Sequence, residues 1–473
     1  MNRREFLGGA AGLGFLAGCR MLSVPGAASF GGARLRMGVL SDIHLNESGD
    51  EDTFLKALAY FRDHGADAVL IAGDIANTGK VVQLQRCADA WYKVFPNDRA
   101  PDGRHVEKLF IYGNHDVWGG WWGNNNKFRE DSIYYNDRYA KVWEETFHEP
   151  YSDFWIKNVK GVPMIGGHWT KRDNFDGLGD FLKQHAREID PSLPLIYTQH
   201  SHPKGTCMGP WAWGRDNGTS TRALSGYPNA VAFSGHSHYT LVDERSVWQG
   251  AFTSINTASL RYASNDYSLR ENVSGNGHGY QGERKARKHR MPEYGSKETT
   301  DGRQGMLVSV WDDHLAIERR DFFQDASLGP DWVVPLPASE SAPFAFKVHR
   351  RRRTAPEFAK GAKAEVKVEQ PKDGKDFTHV NVMFPAAQPV DGCRVNEYEV
   401  TAVLVEDEVE VVQAQRRMMS PDYYKPATKL VRDVAFTFAA EDLPLKGHYR
   451  FEVRPLECFG KKGAAIVSDV VEV

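Results

Sequence analysis

The sequence predicts two globular parts: a parallel-type α/β domain over residues 33–345 and a small all-β sandwich over residues 355–473. Three observations carry this. At 473 residues the chain is too long for one ordinary core, so two units are expected. The first two-thirds repeats one grammar, a short run of Val, Ile, Leu or Phe followed at once by Asp, His, Gly or Asn. The last third changes to short alternating strands without helical periodicity.

The N-terminus reads Asn2-Arg3-Arg4-Glu5-Phe6-Leu7 and runs into GGAAGLGFLAG. A basic start followed by a short apolar segment reads as an export signal, too short to span a bilayer. The paired arginines resemble the twin-arginine signal, which exports proteins already folded. Residues Leu16-Ala17-Gly18-Cys19 resemble a bacterial lipobox. That resemblance implies removal of residues 1–18 and a lipid anchor at Cys19; the alternative is a soluble secreted protein cleaved near Ala28. Either reading sends the chain across the bacterial inner membrane, to the periplasm or to a membrane-anchored state.

Five strand-then-loop units follow. RMGVL leads into SDIHL, ADAVLIA into GDIANTG, EKLFIY into GNHDVW, LPLIYT into QHSHP, and NAVAFS into GHSHYT. Continuous apolar runs bounded by turn residues read as buried strands. Between the first two, TFLKALAYFRDHG has helical spacing and ends at Gly65, a plausible stop. Strand, helix, strand argues for parallel pairing, which gathers the polar loops along one edge.

The residues gathered there are Asp42, His44, Asp74, Asn114, His200, His236 and His238. Asp42 and His44 stand two apart, so in an extended segment they point the same way, and His236 and His238 repeat that spacing. Two carboxylates, four imidazoles and one amide, with no thiolate, suit Mn, Fe, Co or Zn. Seven side chains exceed what one tetrahedral ion needs, and a shared Asp74 bridging two ions accounts for the surplus. In the fourth motif, Gln199-His200-Ser201-His202-Pro203, either His200 or His202 is the ligand; His200 ends the strand.

This ordered series resembles the calcineurin-like metallophosphoesterase family, over roughly residues 35 to 335. A lone GD is worthless as evidence, whereas a specified four-residue string such as GNHD arises by chance about once in 10⁵ positions. The resemblance implies a four-layer α/β/β/α sandwich around two divalent or trivalent metals. It assigns Asp42, His44 and His238 to one metal, Asn114, His200 and His236 to the other, and Asp74 to both. It makes His115 the non-ligand histidine facing the substrate phosphate, with Asp116 orienting it. It implies hydrolysis of a phosphate mono- or diester by a metal-bound hydroxide. Where purple acid phosphatases carry a tyrosine ligand, three residues after the bridging aspartate, this chain has Asn77, so tyrosine-bound iron is not expected.

Composition narrows the partners. The chain is 41% hydrophobic and 26% charged, with a net charge of −3. It lacks the basic excess of a general nucleic-acid or anionic-membrane binder; a small phosphoester is the expected partner. Cys19, Cys87, Cys207, Cys393 and Cys458 form no CxxC pair and define no disulfide framework or zinc ribbon. The tryptophans of VWGGWWG (117–123) and WAWG (211–214) either stack on a substrate group or pack their loops. His168, a lone histidine at a strand end, lies near the site or is structural. Residues 263–304 read as a long irregular insertion.

Residues 305–322 read as two strands about a turn at Trp311–His314, and the run HRRRR (349–353) as a solvated linker. About seven strands then follow within some 120 residues, which indicates a β-sandwich. HYRFEVRPLECFGKKG resembles the penultimate strand and turn of fibronectin type III domains. The rival to an enzyme is a surface-anchored binding protein that uses this sandwich beside a weakly active metal domain.

Overall fold

The computed structural model describes residues 32–172, 175–208, 212–214, 216–265, 298–349, 351, 354–369, 379–407, 409–438 and 442–473. The expected signal, Cys19, most of the 263–304 insertion and most of the basic run lie outside the described residues.

Strand β1 (Leu35–Leu40) pairs in parallel with β2 (Ala68–Ile71), and β2 with β3 (Glu107–Phe110). Helix α1 (Asp52–Asp63) connects the first pair and buries Phe54, Ala57, Leu58 and Phe61 on one face. It ends, as predicted, beside Gly65, whose φ of +74° suits a left-handed stop. Helix α2 (Val81–Val94) makes the second crossover. On its other edge β1 pairs antiparallel with Gln304–Val310, which turns into His314–Asp321. These are the two strands expected at 305–322.

A second sheet runs β4 (Phe154–Val159), β5 (Val162–Gly167), β6 (Leu195–Thr198), β7 (Ala230–Ser234), β9 (Thr253–Asn256), β8 (Val247–Gln249), in that spatial order. The pairs β5–β6, β6–β7 and β7–β9 are parallel. The motif-bearing strands thus divide between two sheets, three in the first and two in the second.

Alternation along each strand builds the layers. Leu35, Met37, Val39, Leu70 and Leu109 share a core with Met164, Ile196, Val231 and Phe233 of the other sheet. Their neighbours Leu40, Val69, Ile71 and Phe110 face outward onto α1 and α2. On the far side Ile165, Leu195, Tyr197 and Ala232 pack against Leu178, Leu182 and Leu224 of short helices. The result is the expected order helix, sheet, sheet, helix. Gly38 is required here, because a Cβ would stand 2.2 Å from the Phe61 ring.

The C-terminal segment forms a three-stranded sheet (Glu365–Glu369, His379–Pro385, Asp433–Phe438) and a second sheet led by Glu397–Glu406, Val409–Met419 and His448–Leu456. One core joins them, with Val382, Phe384, Val400, Phe436, Phe451 and Val453. At the start of its strand Tyr449 donates its hydroxyl to the Leu445 carbonyl at 2.6 Å, the tyrosine corner of such sandwiches. Residues Arg34–Val473 form one compact unit. Fully buried Gln304 links its parts: Nε2 donates to the Tyr424 carbonyl at 2.7 Å, while Oε1 accepts from Leu241 N at 2.8 Å and Thr240 Oγ1 at 3.0 Å. Among the described residues no helix is long and apolar enough to cross a membrane.

Candidate metal centre

The loops after β1, β2, β3, β6 and β7 meet at one edge of the two sheets. Five residues there have left-handed backbone: Asp42 (φ +49°), His44 (+48°), Asp74 (+52°), His236 (+67°) and His238 (+56°). Non-glycine residues in this region cost of order 1 kcal/mol each and persist only where the surroundings dictate them. The i, i+2 pairs therefore do not converge by lying in extended strands, as the spacing suggested. Tight kinks aim them instead.

Glycines make the kinks possible. A Cβ on Gly113 would lie 2.2 Å from Asp74 Oδ1, one on Gly235 2.4 Å from Asp42 Oδ2, and one on Gly73 2.6 Å from the His200 ring. Each glycine of the Gly-Asp, Gly-Asn-His-Asp and Gly-His-x-His motifs is the absence of a side chain against a ligand candidate.

Both carboxylates are fully buried, and each is held by one oxygen. Asp74 Oδ1 accepts from His115 N at 2.8 Å, and Asp42 Oδ2 accepts from His236 N at 3.0 Å and from Ser41 Oγ. The other oxygens face the imidazoles. His238 Nε2 stands 3.0 Å from Asp42 Oδ1, and His200 Nε2 3.0 Å from Asp74 Oδ2. His44 Nε2 is 3.7 Å from both Asp42 Oδ1 and Asp74 Oδ2, and 3.1 Å from His238 Nε2. Three sets could hold an ion: Asp42/His44/His238, Asp42/Asp74/His200 and His44/Asp74/His115. Asn114 Oδ1 and His236 Nδ1 lie 2.9 Å apart beside them, with the His236 ring 5.2 Å from His200. All seven predicted ligands are thus brought together.

The donor set fits cations. His200 Nδ1 faces the Ala72 carbonyl at 2.7 Å, a bond that places a proton on Nδ1 and leaves Nε2 facing Asp74, where it holds either a second proton or a cation. Asp42 Oδ1 and His200 Nε2 are buried without an aligned hydrogen bond. Acceptors that converge in a buried site need positive charge between them. The protonation equilibria register the same demand. Burial works against an Asp42 carboxylate, but the His238 and His200 rings outweigh it and hold its pKa well below the usual range. Burial likewise opposes a charged His200, yet Asp74 and Asp42 hold its pKa up at about 9. His44 is pushed down to about 4, chiefly by burial, and His236 to about 3 by burial and the neighbouring His200.

The two histidines of the fourth motif separate clearly. His200 enters the cluster, whereas His202 Nε2 lies 3.2 Å from Ser237 Oγ and joins none of the three sets. Asp116 requires a correction. It does not reach His115; it is buried and accepts the backbone N–H groups of Ala76 (2.6 Å), Gly113 (2.7 Å) and Ile75 (3.2 Å). Its short side chain at the first turn of α3 (Asn114–Trp122) is spent on clamping two ligand loops together. Burial and the Asp74 charge push its pKa up to about 7. The group that orients His115 is the Asn77 carbonyl, 2.8 Å from Nδ1. His168 is structural: Nδ1 accepts from Tyr112 N at 3.0 Å, and Trp143 and Tyr151 pack its ring.

Sequence reasoning missed three neighbours. Ser41 braces Asp42, Trp169 lies 5.9 Å from both the His200 and His236 rings, and Tyr262 lies 4.5 Å from the His238 ring. Ser41 precedes the first motif directly, and the Asp-x-His string drew attention past it. Trp169 and Tyr262 follow strands without any motif, so only packing reveals them.

Solved structures that the chain is similar to include a dimetal phosphatase from Danio rerio, at 9% identity over 64% of this chain and 98% of that one, with a TM-score of 0.37. A predicted phosphoesterase from Streptococcus pneumoniae TIGR4 shows 11% identity over 64% and 97%, with a TM-score of 0.25. GAP50, the anchor in the inner membrane complex of Plasmodium, shows 10% identity over 64% and 89%, with a TM-score of 0.36. No curated protein matches the chain. Residues 35–240 match the family model of the calcineurin-like phosphoesterases, and that span takes in every residue of the centre from Asp42 to His238.

Proposed function

We propose that the chain is a dinuclear metal-dependent phosphoesterase that hydrolyses a small phosphate mono- or diester. The observation that carries the reading is the pair of buried carboxylates, each anchored by one oxygen and offering the other to converging imidazoles. Asp42, His44 and His238 would hold one ion, Asn114, His200 and His236 the second, and Asp74 both. Mn, Fe, Co and Zn suit these ligands. Two such ions supply a water nucleophile at neutral pH and offset charge on the phosphoryl oxygens.

The chain's own groups do the rest. Asp116 and the three motif glycines fix the ligand loops before substrate arrives, so no reorganisation accompanies the reaction. His115 keeps its Nδ1 proton on the Asn77 carbonyl and turns Nε2 toward the cluster. From Nε2 it delivers the proton that the leaving oxygen needs. Ser41 Oγ donates to Asp42 Oδ2, and Ser237 Oγ, beside His202, is buried and donates to Asn256 Oδ1 at 3.0 Å, so neither hydroxyl is placed to attack a substrate and a direct hydrolysis is the reading.

The sequence-based reading of export, with a lipid anchor at Cys19, and of a fibronectin type III-like sandwich as a spacer completes this proposal. Metal analysis and an aryl phosphate assay test it together. Protein loaded with Mn, Fe, Co or Zn should retain about two ions per chain. Asp74→Ala and His115→Ala should each lower turnover by about 10²-fold or more while remaining folded. Near-normal turnover in either variant, or less than one ion per chain, would sink the reading.

A further inference from the structure

The rings around the centre form a continuous arc that ends on two aromatic residues with no assigned role. Tyr262 is half-buried, 4.5 Å from His238 and stacked at 6.4 Å over His44. His44 meets His115 edge-on at 4.5 Å, and His115 meets Trp122 edge-on at 5.4 Å. His115 and Trp122 sit seven residues apart on α3, two turns along one face.

The three tryptophans of this helix differ in employment. Trp118 stacks on Phe128 at 6.1 Å, and Trp121 packs on the same ring at 5.2 Å. Those two fasten the loop. Trp122 takes no part in that cluster and is 53% exposed. A large indole more than half in water beside the proton-donating histidine has free area available to a ligand.

We propose that Trp122 forms the wall of a leaving-group subsite, and that the substrate is a phosphoester of a planar aromatic group, an aryl or nucleobase-bearing alcohol. The inference rests on the phosphoesterase reading. With phosphate at the carboxylate–imidazole cluster and His115 at the leaving oxygen, the departing group lies beyond His115, where Trp122 offers one open π face. One open face suits a plane, whereas a quaternary ammonium calls for rings on several sides. Stacking on such a face is sequence-tolerant and worth about 1–3 kcal/mol.

The test uses the full chain loaded with manganese, as wild type, Trp122→Ala and Trp122→Phe. Binding of phenylphosphonate and methylphosphonate is measured by calorimetry, and kcat/KM for phenyl phosphate, methyl phosphate and phosphocholine by phosphate release. Intrinsic leaving-group reactivity cancels in the variant-to-wild-type ratio. Trp122→Ala should lower the phenyl-to-methyl selectivity about 5-fold or more in both binding and kcat/KM, and Trp122→Phe should keep it within about 2-fold. An equal loss on phenyl and methyl compounds would mark a merely structural role and overturn the proposal. So would unchanged phenyl selectivity, or a larger loss on phosphocholine. Selective phenylphosphonate binding that depends on Trp122, with no ester turned over, would overturn the phosphoesterase reading and leave the subsite standing.

Discussion

Gly113→Ala isolates how closely the two central ligand loops are fitted. Gly113 has φ −107° and ψ −172°, extended backbone that alanine adopts without strain. The substitution therefore adds a methyl group and nothing else. That methyl would stand 2.2 Å from Asp74 Oδ1 and 2.4 Å from Asp74 N. Relief to ordinary contact needs a displacement of about 1 Å, and the backbone nitrogen leaves no rotamer escape. Asp74 would then lose the 2.8 Å bond from His115 N and shift its Oδ2 from His200. Overpacking of this kind costs about 1–3 kcal/mol, and a misplacement of about 1 Å costs about 10²-fold in rate. Thermal melts, metal content and aryl phosphate turnover read the three effects. Gly103→Ala is the control: φ is +83°, but nothing lies within 4 Å, so it should lose about 1 kcal/mol with metal content intact. Full metal content and turnover within about 3-fold of wild type in Gly113→Ala would refute the reasoning.

Three further outcomes are expected. Gln304→Leu leaves the Leu241 N–H buried without its Gln304 acceptor and removes the bond to the Tyr424 carbonyl, so urea unfolding should show a loss of about 1–3 kcal/mol. Because Leu241 follows His238 closely, metal titration should weaken as well; native metal affinity would show that the sandwich does not brace the centre. Tyr449→Phe removes the hydroxyl bond to Leu445 and should lower stability by about 1 kcal/mol, with activity unaltered. Glu397 is buried, and burial outweighs Arg417 and Arg245 to push its pKa up to about 7 from 4.5. A folded value above the unfolded one means that its contribution is complete below pH 4.5 and is lost as pH rises toward 7. Glu397→Gln should therefore flatten the decline in stability between those pH values, by on the order of 3 kcal/mol; an unchanged slope in pH-dependent unfolding would contradict that assignment.

Most of the fold was legible because its signals are local. Apolar runs such as AVLI and AVAFS form buried strands here, and the TFLKALAYFRD stripe forms a helix with its apolar face inward. The alternating strands after residue 355 likewise appear where the pattern put them. How the motif strands divide between two sheets was not legible, since β3 and β6 read alike and only their pairing partners differ.

The same line runs through the centre. Asp42, His44, Asp74, Asn114, His200, His236 and His238 stood out by chemical identity at strand ends, and that much the sequence determined by itself. Tertiary structure decided how they are aimed. Asp and His tolerate left-handed backbone better than most side chains, but it is the packing of separate loops that selects it at these five ligand candidates. Asp116 could orient a histidine or clamp a backbone with the same carboxylate, and three N–H groups from loops up to 41 residues away chose the second role. His200 and His202 are two residues apart and chemically identical; the Ala72 carbonyl and the two buried carboxylates draw one into the cluster while Ser237 holds the other. Residue type sets what a side chain can bind, but distant contacts set what it meets.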